Sequence, residues 1–430
     1  MKKSGAAAAE LLARQGARVR AIDLKPLADL PEARAVVERL GIEFAQQSPE
    51  AFQNCDLIVL SPDVPYDLPA LEAARSRGVK TIGEVELAAP FLRGRNIAIT
   101  GSNGKTTTTS LIGHILRGAG APSQVGGNIG TAVCAMVESS RDDGWNVLEL
   151  SSFQLESIES FRARVGVAMN VTQNHLDRHH TFENYAAAKR RLFETQEAGD
   201  VAVLNAADPV CAAYAQATRA AVEWFNGEPG AQFRDGAIWI GGERLMAAGE
   251  IPIRGRHNID NVMAAALAAR QAGVGLERIA AAVRTFQAVE HRLEFVRKLD
   301  GIDFYNDSKA TSVDATLKAL TAFPGGLWVI LGGKDKGLDY TVLREPLREK
   351  ARAALLVGAA GPKIGAALAG SVRLIDAGSI ERAVALAWAE AQTGDTVLLA
   401  PACASFDQFR SFEHRGETFK EIVGRLDSKG

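Results

Sequence analysis

Asn96-Ile-Ala-Ile-Thr-Gly-Ser-Asn-Gly-Lys-Thr-Thr-Thr-Thr109 decides how the rest of the chain is read. A short apolar strand over 97–99 runs into Gly101, Ser102, Asn103, Gly104, Lys105, Thr106 and Thr107, and a helix of Ala, Leu and Ile character follows. Glycines without Cβ let backbone N–H groups close around phosphate oxygens, and a helix N-terminus adds partial positive charge. Lys105 then reaches the terminal phosphates and the Thr106 hydroxyl ligates Mg²⁺. The full P-loop pattern would want glycine at Ile99, so this is a shortened Gly-x-x-Gly-Lys-Thr form. An ordinary strand-to-helix turn also uses Gly, Ser and Asn; the strand before, the helix after and Gly-Lys-Thr between them favour nucleotide binding.

At 430 residues the chain is long enough for about three domains. Four cysteines (Cys55, Cys134, Cys211, Cys403) stand singly, which fits a reducing cytoplasm and gives no cysteine zinc site. A formal charge of -2 gives no reason to invoke nucleic acid. Glu10 and Arg14 interrupt the apolar run that follows Met1-Lys-Lys, and nothing reaches the ~18 apolar residues of a membrane span.

The expected fold class is α/β with three domains: a Rossmann-like N-terminal domain over 1–93, a central P-loop ATPase-like domain over 94–289 and a doubly wound C-terminal domain over 290–430. In the first, a helix over 6–15 and strands over 17–22 and 56–60 alternate. Asp23 closes a strand where such folds meet a ribose hydroxyl; a solvated turn carboxylate is the equal alternative. Ser4-Gly5 reads as the end of a glycine turn whose strand is missing, so an apolar strand encoded upstream of Met1 is expected to complete the sheet. Arg93-Gly94-Arg95 reads as a linker.

In the second domain, strands over 145–150 and 165–171 deliver Glu149-Leu-Ser-Ser-Phe-Gln154 and Asn170-Val-Thr-Gln-Asn-His175 at their carboxyl ends, where open parallel sheets place ligands. Glu149 and His175 are therefore candidate metal ligands beside the phosphates. His175 alone would read as a hydrogen-bonded loop histidine; the company of Glu149 and the P-loop favours the ligand. Lys189, on a helix over 182–193, reads as an ordinary solvated or paired charge. Asn258 reads as the N-cap of a helix to 269, and Asn261, one turn in, as a contact to an adenine or ribose edge. In the third domain, a strand that ends in the polar cluster of 304–311 and strands over 327–331, 354–357, 372–375 and 396–399 alternate with helices. They end in Asn306-Asp-Ser-Lys-Ala-Thr311, Gly332-Gly-Lys-Asp-Lys336 and Ser405-Phe-Asp-Gln-Phe409. The residues alone reach an ATP-dependent phosphoryl-transfer enzyme.

Thr100-Gly-Ser-Asn-Gly-Lys-Thr106, Gly126-Gly-Asn-Ile-Gly130, Glu149-Leu-Ser-Ser-Phe-Gln-Leu-Glu156, His257-Asn-Ile-Asp-Asn261, His291-Arg-Leu-Glu294, Asn306-Asp-Ser-Lys-Ala-Thr311 and Pro401-Ala-Cys-Ala-Ser-Phe-Asp-Gln-Phe409 together resemble the Mur ligases, in order over nearly the whole chain. The resemblance implies UDP-sugar, ATP and amino-acid binding by the three domains, with closure over ATP. It implies UDP-N-acetylmuramoyl-L-alanine and D-glutamate as substrates, an acyl-phosphate intermediate and a place in peptidoglycan precursor synthesis. It assigns the phosphates and Mg²⁺ to Lys105 and Thr106, and two Mg²⁺ ions to Glu149 and His175 with Lys189 as a carbamylated ligand. Asn261, Arg292 and Asp307 fall on its nucleotide contacts and Lys309 beside the reacting centre. Asn128, His175, Ser61, Ser151 and Gln154 fall with the acceptor; Thr311, Lys336, Ser405, Phe406 and Phe412 fall on the D-glutamate pocket. A cytoplasmic monomer acting on small molecules, without nucleic acid or membrane, is expected.

Two departures stand out. Asp335 follows Lys334 where relatives carry an acidic residue ahead of the second lysine, and Asp63 stands where the family commonly has glycine, near the uridine. The competing readings are a non-catalytic, nucleotide-gated binding protein that kept the fold but lost acceptor binding through its altered first domain, a sibling ligase adding another amino acid, and a folylpolyglutamate synthase relative. Intact Lys105, Glu149, His175, Lys189 and Lys309 favour the ligase.

Overall fold

Ile97, Ala98 and Ile99 are fully buried, because their strand, Arg95–Thr100, lies inside a nine-stranded sheet of the computed structural model. Strands covered on both faces read as continuous apolar runs rather than alternating ones. The sheet runs Glu243–Ala247, Ala237–Ile240, Gly230–Arg234, Ala221–Phe225, Val201–Asn205, Val165–Ala168, Arg95–Thr100, Trp145–Glu149 and Ser123–Gly127. Its pairings are parallel except at the first three strands, which form an antiparallel meander. The P-loop strand thus sits between the strands that end at Glu149 and lead to Asn170.

The structure describes residues 1–429; Gly430, the last residue of the expected third domain, lies outside them. The chain divides into one compact unit of 1–248 with 260–284 and another of 249–259 with 285 onward. The first unit also holds two small parallel pairs, Arg20–Asp23 with Glu43–Gln46 and Leu57–Leu60 with Lys80–Gly83. Helix Lys3–Arg14 buries Ala7, Ala8 and Leu11 in a cluster shared with Ile82, Val85, Val133 and Met136.

Ser4 and Gly5 lie inside that helix rather than in a glycine turn. A Cβ on Gly5 would come within 2.9 Å of the Ser61 hydroxyl, so the glycine permits a close approach and needs no unusual backbone angle. Arg93-Gly94-Arg95 is not a free linker: Arg95 opens the strand, and a Cβ on Gly94 would stand 2.3 Å from the Arg141 carbonyl.

The carboxyl end of Lys80–Gly83 is fastened to the rest of the unit by two glutamates. Glu86 accepts hydrogen bonds from the N–H groups of Glu159, Ser160 and Phe161 at 2.8–3.0 Å. Glu84 accepts from the Cys134 N–H at 2.5 Å, while its other carboxyl oxygen is buried without a partner. Burial raises the Glu84 pKa to about 7. The native state therefore holds a proton that the unfolded chain, near 4.5, releases earlier. This contribution is fully present below the unfolded pKa and is lost as pH rises through about 7. Stability should fall by up to about 3 kcal/mol across that window, and Glu84→Gln should flatten the fall. Thermal unfolding of both proteins between pH 4.5 and 8 checks this; parallel curves would remove Glu84 as the cause.

The second unit carries a six-stranded sheet in the order Glu294–Leu299, Ile302–Asn306, Thr396–Leu399, Leu327–Gly332, Ala351–Val357 and Leu374–Gly378, parallel except for the first pair. Helices Val313–Thr321, Arg344–Lys350 and Gly361–Leu368 bury Leu320, Leu347, Ile364 and Leu368 in one core cluster. Helices Ile380–Glu390 and Phe412–Gly424 bury Val384, Ala387, Phe419 and Val423 in another. The sheet is doubly wound, as alternating strands and helices require.

Candidate active site

Helix Lys105–Gly118 begins directly after the glycine loop, with Gly104 at φ +84° as its N-cap. A Cβ on Gly104 would meet Asn261 Oδ1 at 2.5 Å, and one on Gly101 would meet Met169 Cβ at 2.9 Å. Both glycines are dictated by close approach as well as by backbone angle (Gly101 at φ +146°). The loop is braced from the neighbouring strand end. Asn103 N–H donates to Asn170 Oδ1 at 2.9 Å, Asn170 Nδ2 donates to Asn103 O at 3.1 Å, and Ser102 Oγ lies 2.9 Å from the Tyr185 hydroxyl. Lys105 Nζ donates to the Gly101 and Ser102 carbonyls at 2.8 and 3.1 Å. Thr106 and Thr107 are buried in the first helical turn, and Thr108 Oγ1 donates to the buried Asn261 Oδ1 at 3.3 Å.

Lys189 is not the solvated charge its helix suggests: it is 1 % exposed and donates to the Gly101 carbonyl at 2.9 Å. Its amine lies 4.6 Å above the Tyr185 ring, one turn earlier on helix Phe182–Glu194. Burial, reinforced by the nearby Lys105 charge, pulls its pKa well below the usual lysine value; Cys211 and Glu149 oppose this. Glu149 is equally buried. One carboxylate oxygen accepts from Asn128 Nδ2 at 2.7 Å, and the other has no hydrogen-bond partner. A buried unpartnered carboxylate oxygen costs stability unless something cationic meets it.

His175 is exposed, at φ +54°, and leads into the short helix Leu176–His179. Its ring packs edge-on against Phe153 at 4.9 Å. Ser151 and Gln154 make a capping box with each other, Ser151 N–H donating to Gln154 Oε1 at 3.0 Å. His179, which the sequence reading passed over, is buried between Phe153 and Tyr185 and bonds Ser152 Oγ at 2.9 Å. Ser61 lines a cleft with Tyr66, Glu84, Phe153, Gln154 and Arg178. Asp63 pairs with Lys2 at 2.7 Å on the surface, and Asp23 accepts from the Lys25 N–H at 3.1 Å and from the Met1 amino group.

In the second unit, Asp307 is buried with Oδ1 unpartnered, and Arg292 Nε is likewise buried without a partner. Burial raises the Asp307 pKa to about 6, with Arg292 opposing it. The segment around Arg292 is strained: His291 and Leu293, on either side of it, hold φ of +63° and +43°. Lys309 Nζ lies 5.4 Å over the Phe412 ring, and Lys336 Nζ donates to the Thr311 carbonyl at 3.3 Å. Ser405 is buried, whereas Phe406 points outward at 67 % exposure. Asn258 is not an N-cap: the helix starts at His257, and Asn258 Nδ2 reaches back to the Arg254 carbonyl at 2.6 Å. Glu290, His291 and Glu294 bring possible ligand atoms within 4.8 Å of one another, but Lys420 already pairs with both carboxylates.

A glycine cradle at a helix N-terminus, with a lysine, buried hydroxyls and an unpartnered buried carboxylate beside it, defines the class: a P-loop protein of nucleotide-phosphate chemistry. Family models extend this along the chain. Residues 1–83 match the N-terminal domain described as Mur ligase MurD-like, 99–269 the Mur ligase middle domain, and 291–403 the Mur ligase glutamate ligase domain. The chain belongs to the Mur ligase family. It is 71% identical to the UDP-N-acetylmuramoylalanine--D-glutamate ligase of Solibacter usitatus, over 100% of this chain and 97% of that protein. It is 50% identical to the protein of that name from Acidobacterium capsulatum, over 98% and 94%. Among solved structures, a pseudomurein peptide ligase type C from Methanothermus fervidus has the same fold at TM-score 0.63 and 17% identity, covering 99% of this chain and 98% of that one. The UDP-N-acetylmuramate-alanine ligase of Thermotoga maritima does so at TM-score 0.63 and 17% identity, covering 98% and 97%.

Proposed function

We propose that the protein is an ATP-dependent amide ligase that adds D-glutamate to UDP-N-acetylmuramoyl-L-alanine, releasing ADP and phosphate, as a cytoplasmic step of peptidoglycan precursor synthesis. The observation that carries the reading is the buried pair beside the glycine loop: the unpartnered Glu149 oxygen and the Lys189 amine. The names of the most similar relatives supply the substrates. Among the described residues no helix is long and apolar enough to cross a membrane, and the expected domains 1–93, 94–289 and 290–430 are assigned to UDP-sugar, ATP and amino acid.

Forming an amide from a carboxylate requires activation, because the carboxylate is a poor electrophile with a poor leaving group. The acceptor's L-alanyl carboxylate oxygen attacks the γ-phosphorus of ATP and the bond to ADP breaks. The D-glutamate amine then attacks the acyl carbonyl, loses its proton, and phosphate leaves. Lys105 and the 101–104 backbone hold the phosphates and screen the repulsion between two anions. Thr106, Glu149, His175 and Lys189, the last as a carbamate, would hold Mg²⁺, which when bound neutralises phosphate charge. A lysine reacts with CO₂ only as the neutral amine, and its burial favours that form. Asn261, Arg292 and Asp307 serve the nucleotide, Lys309 the reacting carbonyl, and Asn128, Ser61, Ser151 and Gln154 the acceptor. Thr311, Lys336, Ser405 and Phe412 receive D-glutamate.

Phosphate release with ATP, UDP-N-acetylmuramoyl-L-alanine and each of several amino acids tests the assignment. D-glutamate should be used and L-glutamate should fall on the order of 10²-fold in kcat/KM, because fixing both carboxylates leaves only one hand with its amine aimed at the acyl group. Equal release with the two enantiomers, or release with another amino acid instead, would sink it.

A further inference from the structure

Among the described residues the largest fully buried side chain belongs to Arg415, at 1 % exposure, and no motif of the sequence points to it. It lies in the first turn of helix Phe412–Gly424. Its guanidinium is spent on two loops of the second unit. Nε donates to Ser308 Oγ at 2.9 Å and Nη2 to the Ser308 carbonyl at 2.8 Å. Nη1 and Nη2 donate to the Cys403 carbonyl at 3.2 and 3.1 Å, and Nη1 also reaches the Ala404 carbonyl. Ser308 stands between Asp307 and Lys309, and Ala404 immediately precedes Ser405.

Among the described residues no carboxylate lies within ion-pair distance of this guanidinium. Burial accordingly lowers its pKa to about 10, which leaves it charged at neutral pH. The surrounding loops are rigidly fastened. Ala404 O accepts from the Lys334 N–H at 2.8 Å, Ser308 Oγ donates to the Phe412 carbonyl at 2.8 Å, and the Tyr340 hydroxyl joins Asp335 at 2.9 Å to Cys403 Sγ at 3.1 Å. Asp335 is tied in turn to Lys363 at 2.7 Å. The Asp407 carboxylate acts on this charge from beyond pairing distance, and a buried cation whose hydrogen bonds all go to neutral oxygens keeps part of its field.

We propose that Arg415 is the positioning and specificity residue of the amino-acid site: its fork fixes the 307–309 and 403–405 loops in one register, and its charge, which no carboxylate meets at ion-pair distance, selects a dicarboxylate over its amide. The inference rests on the D-glutamate reading above and deepens it. A neutral substitute should weaken discrimination against D-glutamine, whose side chain has the shape of D-glutamate without the charge. A purely structural anchor would lower both amino acids alike.

The test compares kcat/KM for D-glutamate and D-glutamine in wild type, Arg415→Met, Arg415→Gln and Arg415→Lys, with circular dichroism and binding of an ATP analogue as controls. The two neutral variants should raise KM for D-glutamate more than they lower kcat, and the D-glutamate:D-glutamine ratio should drop at least about tenfold. The lysine variant, which keeps charge and loses the fork, should lower kcat while holding the ratio near the wild-type value. A ratio unchanged in folded neutral variants overturns the proposal. If neither neutral variant folds, Arg415→Lys decides alone: its buried amine deprotonates as pH rises, so its ratio should fall toward pH 9 while that of the wild type stays level, and two level profiles overturn the proposal. A wild type that does not use D-glutamate at all would instead overturn the functional reading on which this one stands.

Discussion

Lys105→Ala is expected to lower ligation by ~10²-fold or more, because a preorganised donor aimed at developing phosphate charge is worth that much in a water-excluded site. Two separate losses meet at this residue. The ammonium that answers the phosphates is gone, and so is a charge that helps lower the Lys189 pKa. The second loss should make the variant more dependent on added bicarbonate than the wild type, since a smaller fraction of Lys189 is then ready to take up CO₂. Folding should survive, as the lysine is bonded to the Gly101 and Ser102 carbonyls of its own loop. The measurements are phosphate release with and without bicarbonate and a circular dichroism spectrum. Near-normal turnover with an unchanged spectrum would take the P-loop out of the mechanism.

Some of this site was legible in the sequence because local rules coincide with its function. The strand that ends at Glu149 and the helix that starts at Lys105 follow from apolar runs closed by polar residues. Helix Phe412–Gly424 was not read from the sequence, although Arg415, Phe419 and Val423 recur at four-residue spacing and are all buried. Its charged neighbours in Glu413-His-Arg-Gly-Glu417 hide Arg415, and nothing local says that a cation at that position is satisfied by the oxygens of Ser308, 107 residues away in the chain, together with the Cys403 and Ala404 carbonyls. Lys189 shows the same limit. Composition gives a surface lysine; only the parallel neighbours of Arg95–Thr100 bring Gly101 within reach of its amine. Gly5 and Asn258 were misread for a related reason, because close packing against Ser61 and a bond to the Arg254 carbonyl are tertiary facts that override turn and capping preferences.

Lys189→Ala should lose activity by a factor comparable to Lys105→Ala, and a short carboxylic acid in the buffer should restore part of it. The wild-type amine is buried, bonded to the Gly101 carbonyl and shifted well toward its neutral form by burial and by Lys105. A neutral amine can add CO₂ and lose a proton to become a carbamate, an anion set among Lys105, Glu149 and the phosphate loop. Alanine deletes that anion and opens a space that formate or acetate fits, so the acid supplies from solution the charge that the side chain supplied covalently. Rescue should therefore require the acid in its ionised form and should not occur with a neutral amide of the same size. The modification has a readout independent of turnover: protein equilibrated with ¹³C-labelled bicarbonate should show one slowly exchanging carbamate resonance in the wild type and none in Lys189→Ala. Full activity of the alanine variant would exclude the carbamate from catalysis, and a carbamate signal that persists without Lys189 would assign the modification to another residue.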